Sequence, residues 1–309
     1  MREGEEMKTF AIITVCLNAE NEIGKTLESV LGQSNTNYEY LVKDGGSKDR
    51  TLSIAQSYAP AFAEKGIEYR IISQADTGIY DAMNQAVQMV QGEWAVFMNA
   101  GDTFASSEVL SLVEQSGTLE DADVVYGNWI DCYGKWYQYK KSFPIEKMVD
   151  RIPFCHQSAF TRRQLFDHAL YSLEYRLASD YLFYLERYLE GKKFKYYPLA
   201  VSVFDRYGAS SNGMALAQER ISIHEKMKVT SHENLQEIKN QIKRYRRDQF
   251  IYQHFSKYIP KCIRQKRRKI HKDKMFLAAG GKTKEEMLEM IRVETEKQTT
   301  LQKTCCEDD

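Results

Sequence analysis

Four short apolar runs, at residues 10–17, 38–43, 69–72 and 94–98, constrain the fold more than any other feature of the chain. Each run stops abruptly at polar, turn-forming residues, and segments with helical periodicity separate them. The segment 22–31 places Ile23, Leu27, Val30 and Leu31 on one helical face. The next runs through Leu52, Ile54, Ala55 and Tyr58, with Asp49 placed to cap it, and a third spans 80–90. The run 94–98 is bounded by Gly92 and Asn99 and has no alternation, as expected of a strand buried on both faces. Strand and helix in strict alternation predict an α/β fold built on a doubly wound, mostly parallel sheet. Asn18, Asp44, Asp76 and Asp102 each fall just past a strand's carboxyl end. In such sheets, that edge is where ligands bind.

The pattern then loosens. A helix is expected at 108–115 and a buried strand at 122–126, followed by an aromatic, Gly-punctuated hairpin to Tyr139. A strand at 158–162, a short helix near Leu165, a helix at 181–189 capped by Ser179 and a strand at 194–204 complete a first unit, 1–210. Its nucleotide-binding half would be 8–104 and its second half 105–210. Long helices are expected over 214–257, with a basic helical extension at 211–275. The charged tail 276–309 has the composition of a partly disordered segment.

The formal net charge is zero, but it conceals a segregation. Residues 239–274 carry fourteen Lys and Arg against two Asp, and residues from 285 onward carry eight acids against three bases. The six cysteines form no CxxC pair, which excludes the common structural zinc sites and suits a reduced, cytoplasmic protein. The acidic start lacks the basic region of a signal peptide, and no apolar run approaches the ~20 residues of a spanning helix.

Three ordered motifs carry a family resemblance. Residues 12–33, Ile-Ile-Thr-Val-Cys-Leu-Asn-Ala-Glu-Asn-Glu onward, resemble the start of a family 2 glycosyltransferase of the GT-A fold. Residues 44–51, Asp-Gly-Gly-Ser-Lys-Asp-Arg-Thr, are similar to that family's Asp-Gly-Ser-x-Asp-x-Thr signature. The pair Asp76-Thr-Gly-Ile-Tyr-Asp-Ala-Met-Asn84 and Phe97-Met-Asn-Ala-Gly-Asp102 resembles the branch that makes bacterial surface polysaccharides, including colanic-acid-type enzymes.

That resemblance implies an inverting transfer of a sugar from a nucleoside diphosphate sugar, such as a UDP-sugar, to a glycan or lipid-linked acceptor. Leu17, Asn18, Glu20 and Asp44 would line the nucleotide pocket, and Asp76, Asp81, Asn84 and Asn99 would follow toward the sugar. Met83 stands where many relatives have an arginine. Asp102 would hold Mg²⁺ or Mn²⁺, with Asn99 and Gly101 where carboxylates are common. Asp180 would take the proton of the acceptor hydroxyl. His156, in His-Gln-Ser, would contact diphosphate, metal or acceptor. Trp129, Trp136, Tyr137 and Tyr139 could form a sugar-stacking platform or simply pack the core.

Around 244–269, basic residues interleave with Phe250, Ile251, Phe255, Tyr258, Ile259 and Ile263, a composition that suits the anionic inner face of a cell membrane. A solvated helix is the next reading, and nucleic-acid binding is the least expected. Two rivals to the transferase are a nucleotidyltransferase and a non-catalytic scaffold acting through the basic segment. A nucleotidyltransferase would carry a glycine-rich basic loop after the first strand, whereas Asn18-Ala-Glu-Asn-Glu22 has neither glycine nor positive charge.

Overall fold

The computed structural model describes residues 8–206, 213–229, scattered positions between 236 and 247, and 280–307. Nine strands form one sheet in the order β3-β2-β1-β4-β8-β6-β9-β5, with β7 paired to β6. The strands are β1 (Phe10–Cys16), β2 (Tyr38–Asp44), β3 (Glu68–Ser73), β4 (Trp94–Phe97), β5 (Thr103–Phe104), β6 (Val124–Tyr133), β7 (Trp136–Lys140), β8 (Ala159–Arg162) and β9 (Phe194–Asp205).

The first four strands are parallel, as expected. Beyond β4 the sheet becomes mixed: β8 runs antiparallel to β4 and β6, while β9 is parallel to β6. Among the described residues, only β6 and β7 form a hairpin; α5 (Val109–Gln115) lies between β5 and β6, and α7 (Ser179–Leu189) between β8 and β9, so the helices of this half join antiparallel rather than parallel strands.

Period-two alternation with both faces covered explains β1. Ala11, Ile13 and Val15 pack into one cluster with α4 (Ile79–Val87) and α7 (Ser179–Leu189). Phe10, Ile12 and Cys16 pack on the other face with α1 (Ile23–Leu31) and α5 (Val109–Gln115). Thr14, buried in mid-strand, is satisfied by donating its hydroxyl to the Met98 carbonyl at 2.6 Å.

The end of the chain corrects an expectation. Rather than remaining partly disordered, Lys284–Glu307 forms a 24-residue helix. A reciprocal cap starts it: Thr283 N–H donates to Glu286 Oε2 at 2.7 Å and Glu286 N–H to Thr283 Oγ1 at 3.3 Å. Met287 and Ile291 then bury against Ala105, Ile130 and Ala200. Glu294 accepts the Tyr139 hydroxyl at 2.6 Å and the Ala200 N–H at 3.1 Å.

Of the expected basic extension, α8 (Gly213–Met227) is described, and Ile238 and Ile242 pack with its Ala217. Lys239, Lys243, Arg244, Arg246 and Arg247 are described as well, whereas the basic positions of the extension from 248 onward, including 266–269, lie outside the described residues. Among the described residues, no helix is long and apolar enough to cross a membrane.

Candidate functional site

Strand order reverses between β1, which the chain leaves toward β2, and β4, whose other neighbour is β8, so a crevice forms beyond their carboxyl ends. A cleft of about 890 Å³ occupies that position. Leu17, Asn18, Asp76 and Met83 of the first half line it, with Asn99, Gly101 and Asp102 of the floor loop after β4, Asp205 bonded to that loop, and Trp129, His156 and Asp180 of the second half. Asp44 ends β2 and Asp102 lies in the loop after β4; these two strands flank β1 in parallel, so both acids belong to the same sheet edge.

In the first half, most polar groups are engaged in shaping loops. Asn18 adopts φ 50°, and its Oδ1 accepts the Lys48 N–H at 2.9 Å. Glu20 accepts both the backbone N–H and the Nε of Arg50 at 3.1 Å and lies outside the cleft lining. The Asp44 carboxylate is 1% exposed and accepts N–H groups of Gly46 and Ser47 at 3.1 and 3.0 Å, the Ser73 hydroxyl at 2.7 Å and the Ser47 hydroxyl. Burial pushes its pKa up, but these hydrogen bonds outweigh it and hold the acid below its ordinary value. In this geometry Asp44 moulds the Gly45–Ser47 turn from beneath the cleft.

Sequence reasoning missed Lys43. Fully buried at the end of β2, its Nζ reaches Asp76 Oδ2 at 3.2 Å, the Gln74 carbonyl at 2.5 Å and the Asp44 carbonyl at 3.3 Å. These acceptors offset the desolvation that a buried ammonium would otherwise suffer. A Cβ on Gly45 would fall 2.7 Å from Asp76 Oδ2, so only glycine admits the carboxylate there.

Two expected ligand contacts are spent elsewhere. Asp81 accepts the Thr77 N–H and hydroxyl at 2.8 and 2.9 Å, stabilising the start of α4. Asn84 donates to the Tyr171 carbonyl at 2.8 Å and accepts its N–H at 2.9 Å, clamping the two halves of the fold together. Neither lines the cleft.

The floor gathers hard oxygen donors. Thr26 of α1 fixes the loop by donating to the Asp102 carbonyl at 2.7 Å and accepting the Gly101 N–H at 3.0 Å, with Gly101 at φ 105°. Asp102 is 4% exposed, and its Oδ1 accepts the Asp205 N–H at 2.9 Å. Burial pushes the Asp102 carboxyl up to about 7, and the neighbouring Asp205 charge adds to the rise; the Asp205 N–H, Lys25 and Gln157 pull it down. Lys25 pairs with Asp205 at 2.9 Å. Asn99 Oδ1 is buried without a hydrogen-bond partner among the described residues.

No three-member His, Cys, Asp or Glu cluster occurs among the described residues. The donor set is therefore two carboxylates and an orphaned amide oxygen, all hard ligands, which fits Mg²⁺ or Mn²⁺ completed by phosphate oxygens and water. Asp205 closes β9, more than a hundred residues from Asp102; only the run of strand character ending near Phe204 hinted that a loop began there.

In the second half, Asp180 opens α7 and accepts the Tyr80 hydroxyl at 2.8 Å. Burial and the Asp180 charge push Tyr80 far up, so the phenol stays protonated and orients the carboxylate. The expected Ser179 cap is absent, because its hydroxyl donates to the Ser172 carbonyl at 2.7 Å. His156 Nε2 meets the Tyr171 hydroxyl at 2.7 Å, and burial lowers its pKa, so it enters the cleft as a neutral imidazole. Of the four proposed platform aromatics, only Trp129 lines the cleft; Tyr137 and Tyr139 pack toward the C-terminal helix. Burial holds the Cys155 thiol protonated, which argues against a thiolate nucleophile.

Residues 11–178 match the model for Glycosyl transferase family 2. A PGL/p-HBAD biosynthesis glycosyltransferase of Mycobacterium tuberculosis is 32% identical over 206 residues, covering 66% of this chain and 79% of that protein. The uncharacterized glycosyltransferase EpsJ of Bacillus subtilis is 24% identical over 202 residues, or 60% of this chain and 57% of its own. Among solved structures, S. aureus TarS 1-349 in complex with UDP-GlcNAc aligns with a TM-score of 0.57 at 17% identity, over 76% of this chain and 71% of that one. The mannosyltransferase PcManGT from Pyrobaculum calidifontis, in complex with GDP-Man and Mn²⁺, aligns with a TM-score of 0.57 at 17% identity, over 73% and 66%. The chain has the GT-A fold and belongs to glycosyl transferase family 2.

Proposed function

We propose that this chain transfers a sugar from a nucleoside diphosphate sugar to an acceptor hydroxyl, with inversion at the anomeric carbon. The observation that carries this reading is one cleft at the strand-order reversal with Asp76, Asp102, Asp205 and Asp180 all on its walls. The Leu17–Asn18 loop and Asp76 would hold the nucleoside end. Asp44 and Lys43 would act beneath them, keeping that loop and Asp76 in place. Asp102, Asp205 and Asn99 would hold a divalent ion, which neutralises the charge developing on the leaving diphosphate. Asp180, oriented by Tyr80, removes the acceptor O–H proton as that oxygen bonds to the anomeric carbon. The bond from that carbon to the diphosphate oxygen breaks with its electron pair going to the diphosphate. Neutral His156 would orient a hydroxyl or phosphate oxygen without adding charge.

Solved neighbours carrying UDP-GlcNAc and GDP-Man support this class of donor, and a relative named as a PGL/p-HBAD biosynthesis glycosyltransferase supports a biosynthetic role; the glycan or lipid-linked acceptor is what the family resemblance implies. We also assign the chain to the cytoplasmic membrane surface as a peripheral protein, through the basic, aromatic-rich stretch at 244–269. The test is thermal unfolding of the full chain with UDP, GDP and their sugar conjugates, with and without Mn²⁺. A native-state ligand at a hundred times its Kd stabilises by ~2.7 kcal/mol. One nucleotide series should raise Tm, more so with Mn²⁺; a flat response to all of them would refute the assignment.

A further inference from the structure

Arginines are distributed unequally over the molecule. Arg50, Arg70, Arg162, Arg163, Arg187 and Arg292, all outside the cleft lining, are each paired with a carboxylate. Lys43 and Lys25, on the donor side and floor of the site, are paired with Asp76 and Asp205. Arg151 and Arg176 line the cleft, and among the described residues neither guanidinium has a carboxylate partner. Two unneutralised guanidinium groups at the wall of a concave site are a ready receptor for an anion.

Their placement is built rather than incidental. Glu219 and Arg220, consecutive on α8, tie down the two segments that carry them. Glu219 Oε1 accepts the Arg176 N–H at 3.0 Å, and Oε2 accepts those of Leu177 and Ala178 at 2.8 and 2.9 Å. That acid is thus committed to the backbone. Arg220 Nη2 donates to the Asp150 carbonyl at 3.1 Å and itself lines the cleft beside Arg151. The Arg151 guanidinium lies over the Phe143 ring at 4.6 Å, which restricts its motion. The acids nearby are Asp150, 3.9 Å from Lys147, and Asp180, held by Tyr80.

We propose that Arg151 and Arg176, braced by Arg220, form an anion subsite on the acceptor side of Asp180 that seats a phosphate group carried by the acceptor. This rests on the transferase reading and names the acceptor class. Chain position argues against the donor: its diphosphate is assigned to Asp102, in the loop after β4, and Asp205, at the end of β9, whereas Arg176 leads into α7, which carries Asp180, and Arg151 follows the 145–149 turn, whose Met148 carbonyl accepts the Tyr181 hydroxyl of α7 at 3.0 Å. A phosphorylated acceptor would place its negative charge there and its hydroxyl at Asp180.

The test is calorimetric titration of geranyl phosphate and of glucose 1-phosphate into the full chain, saturated with UDP and Mn²⁺. The wild type should bind at least one, and R151Q/R176Q should weaken that binding at least tenfold while changing UDP affinity less than twofold. Unaltered UDP affinity also shows that the variant is folded. Binding of geranyl phosphate alone assigns the phosphate to a lipid; equal binding of both assigns it to a soluble acceptor. Displacement of the phosphate by UDP, or a double variant that binds like wild type, would overturn the subsite and leave the transferase standing. Failure of UDP to bind at all would overturn both.

Discussion

The two halves of this domain treat their polar residues in opposite ways. In the half built on β1 to β4, strand-end acids are largely engaged: Asp44 by the Gly46–Ser47 turn and Ser73, Asp76 by Lys43, Asp81 by Thr77. In the half built on β6, β8, β9 and α7, Asp180 has a single phenol donor and Arg151 and Arg176 have no carboxylate partner among the described residues. One half is a rigid mould and the other carries reactive and recognising groups, with Asp102 and Asp205 at the seam. Under the proposed function, the half whose acids are engaged serves the donor, and the half whose carboxylate and guanidinium groups are less committed serves the acceptor.

That contrast can be broken by substitution. The largest effect is expected for Asp180→Asn, which should lower kcat by ~10³-fold, within the range for loss of a general base, with donor KM nearly unchanged. A comparable rise in donor KM would place Asp180 in the mould instead. Asp102→Asn should lower kcat by ~10²-fold in saturating Mn²⁺, and Asp205→Asn by less, with weaker Mn²⁺ affinity measured by titrating the metal against activity. Equal loss at every Mn²⁺ concentration would remove Asp205 from the cation site.

Lys43→Met tests the mould itself. It strands Asp76 and two carbonyls, and breaking a buried pair costs ~3 kcal/mol, which should appear as a clear drop in Tm. The smallest effect concerns pH. Burial, with Arg220 adding to it, lowers His224 to about 4, while the Asp150 charge opposes and the Tyr181 hydroxyl lies 3.4 Å away. Above the ordinary histidine pKa of ~6.5 both folded and unfolded forms are neutral. As pH falls toward 4 the unfolded chain binds the proton first, so stability declines, by an amount on the order of 1–2 kcal/mol at pH 5. His224→Gln should flatten that decline in Tm between pH 7 and 5.

The same contrast explains what could be read before any coordinates. Parallel strands joined by helices leave a local record, so β1 to β4 and the acids after them are visible in the residue pattern. Lys43 was hidden because a lysine after an apolar run reads as a strand boundary; only the facing Asp76 and Gln74 carbonyl justify its burial. Asp205 and the arginine wall depend on contacts between segments far apart in sequence, which periodicity does not record. Asp44 was located correctly at the strand end, yet the hydroxyls of Ser47 and Ser73 that saturate it lie on two different segments. The C-terminal helix did carry a local signal, Thr283 followed by Glu286, but an acidic composition obscured it.

The docking of that last helix changes how the basic stretch should be understood. Lys282 exchanges backbone hydrogen bonds with Tyr137 at 2.9 and 2.8 Å, and Gln298 donates to the Pro198 carbonyl at 3.1 Å. The described chain on either side of residues 248–279 docks on the domain: Ile242 packs with Ala217 before them, and Lys282 pairs with Tyr137 after them. Cutting the chain at 240 would also strip cover from Ile130 and Ala200. Reversing the sign of the stretch's lysines and arginines, with the helix left in place, separates surface binding from folding.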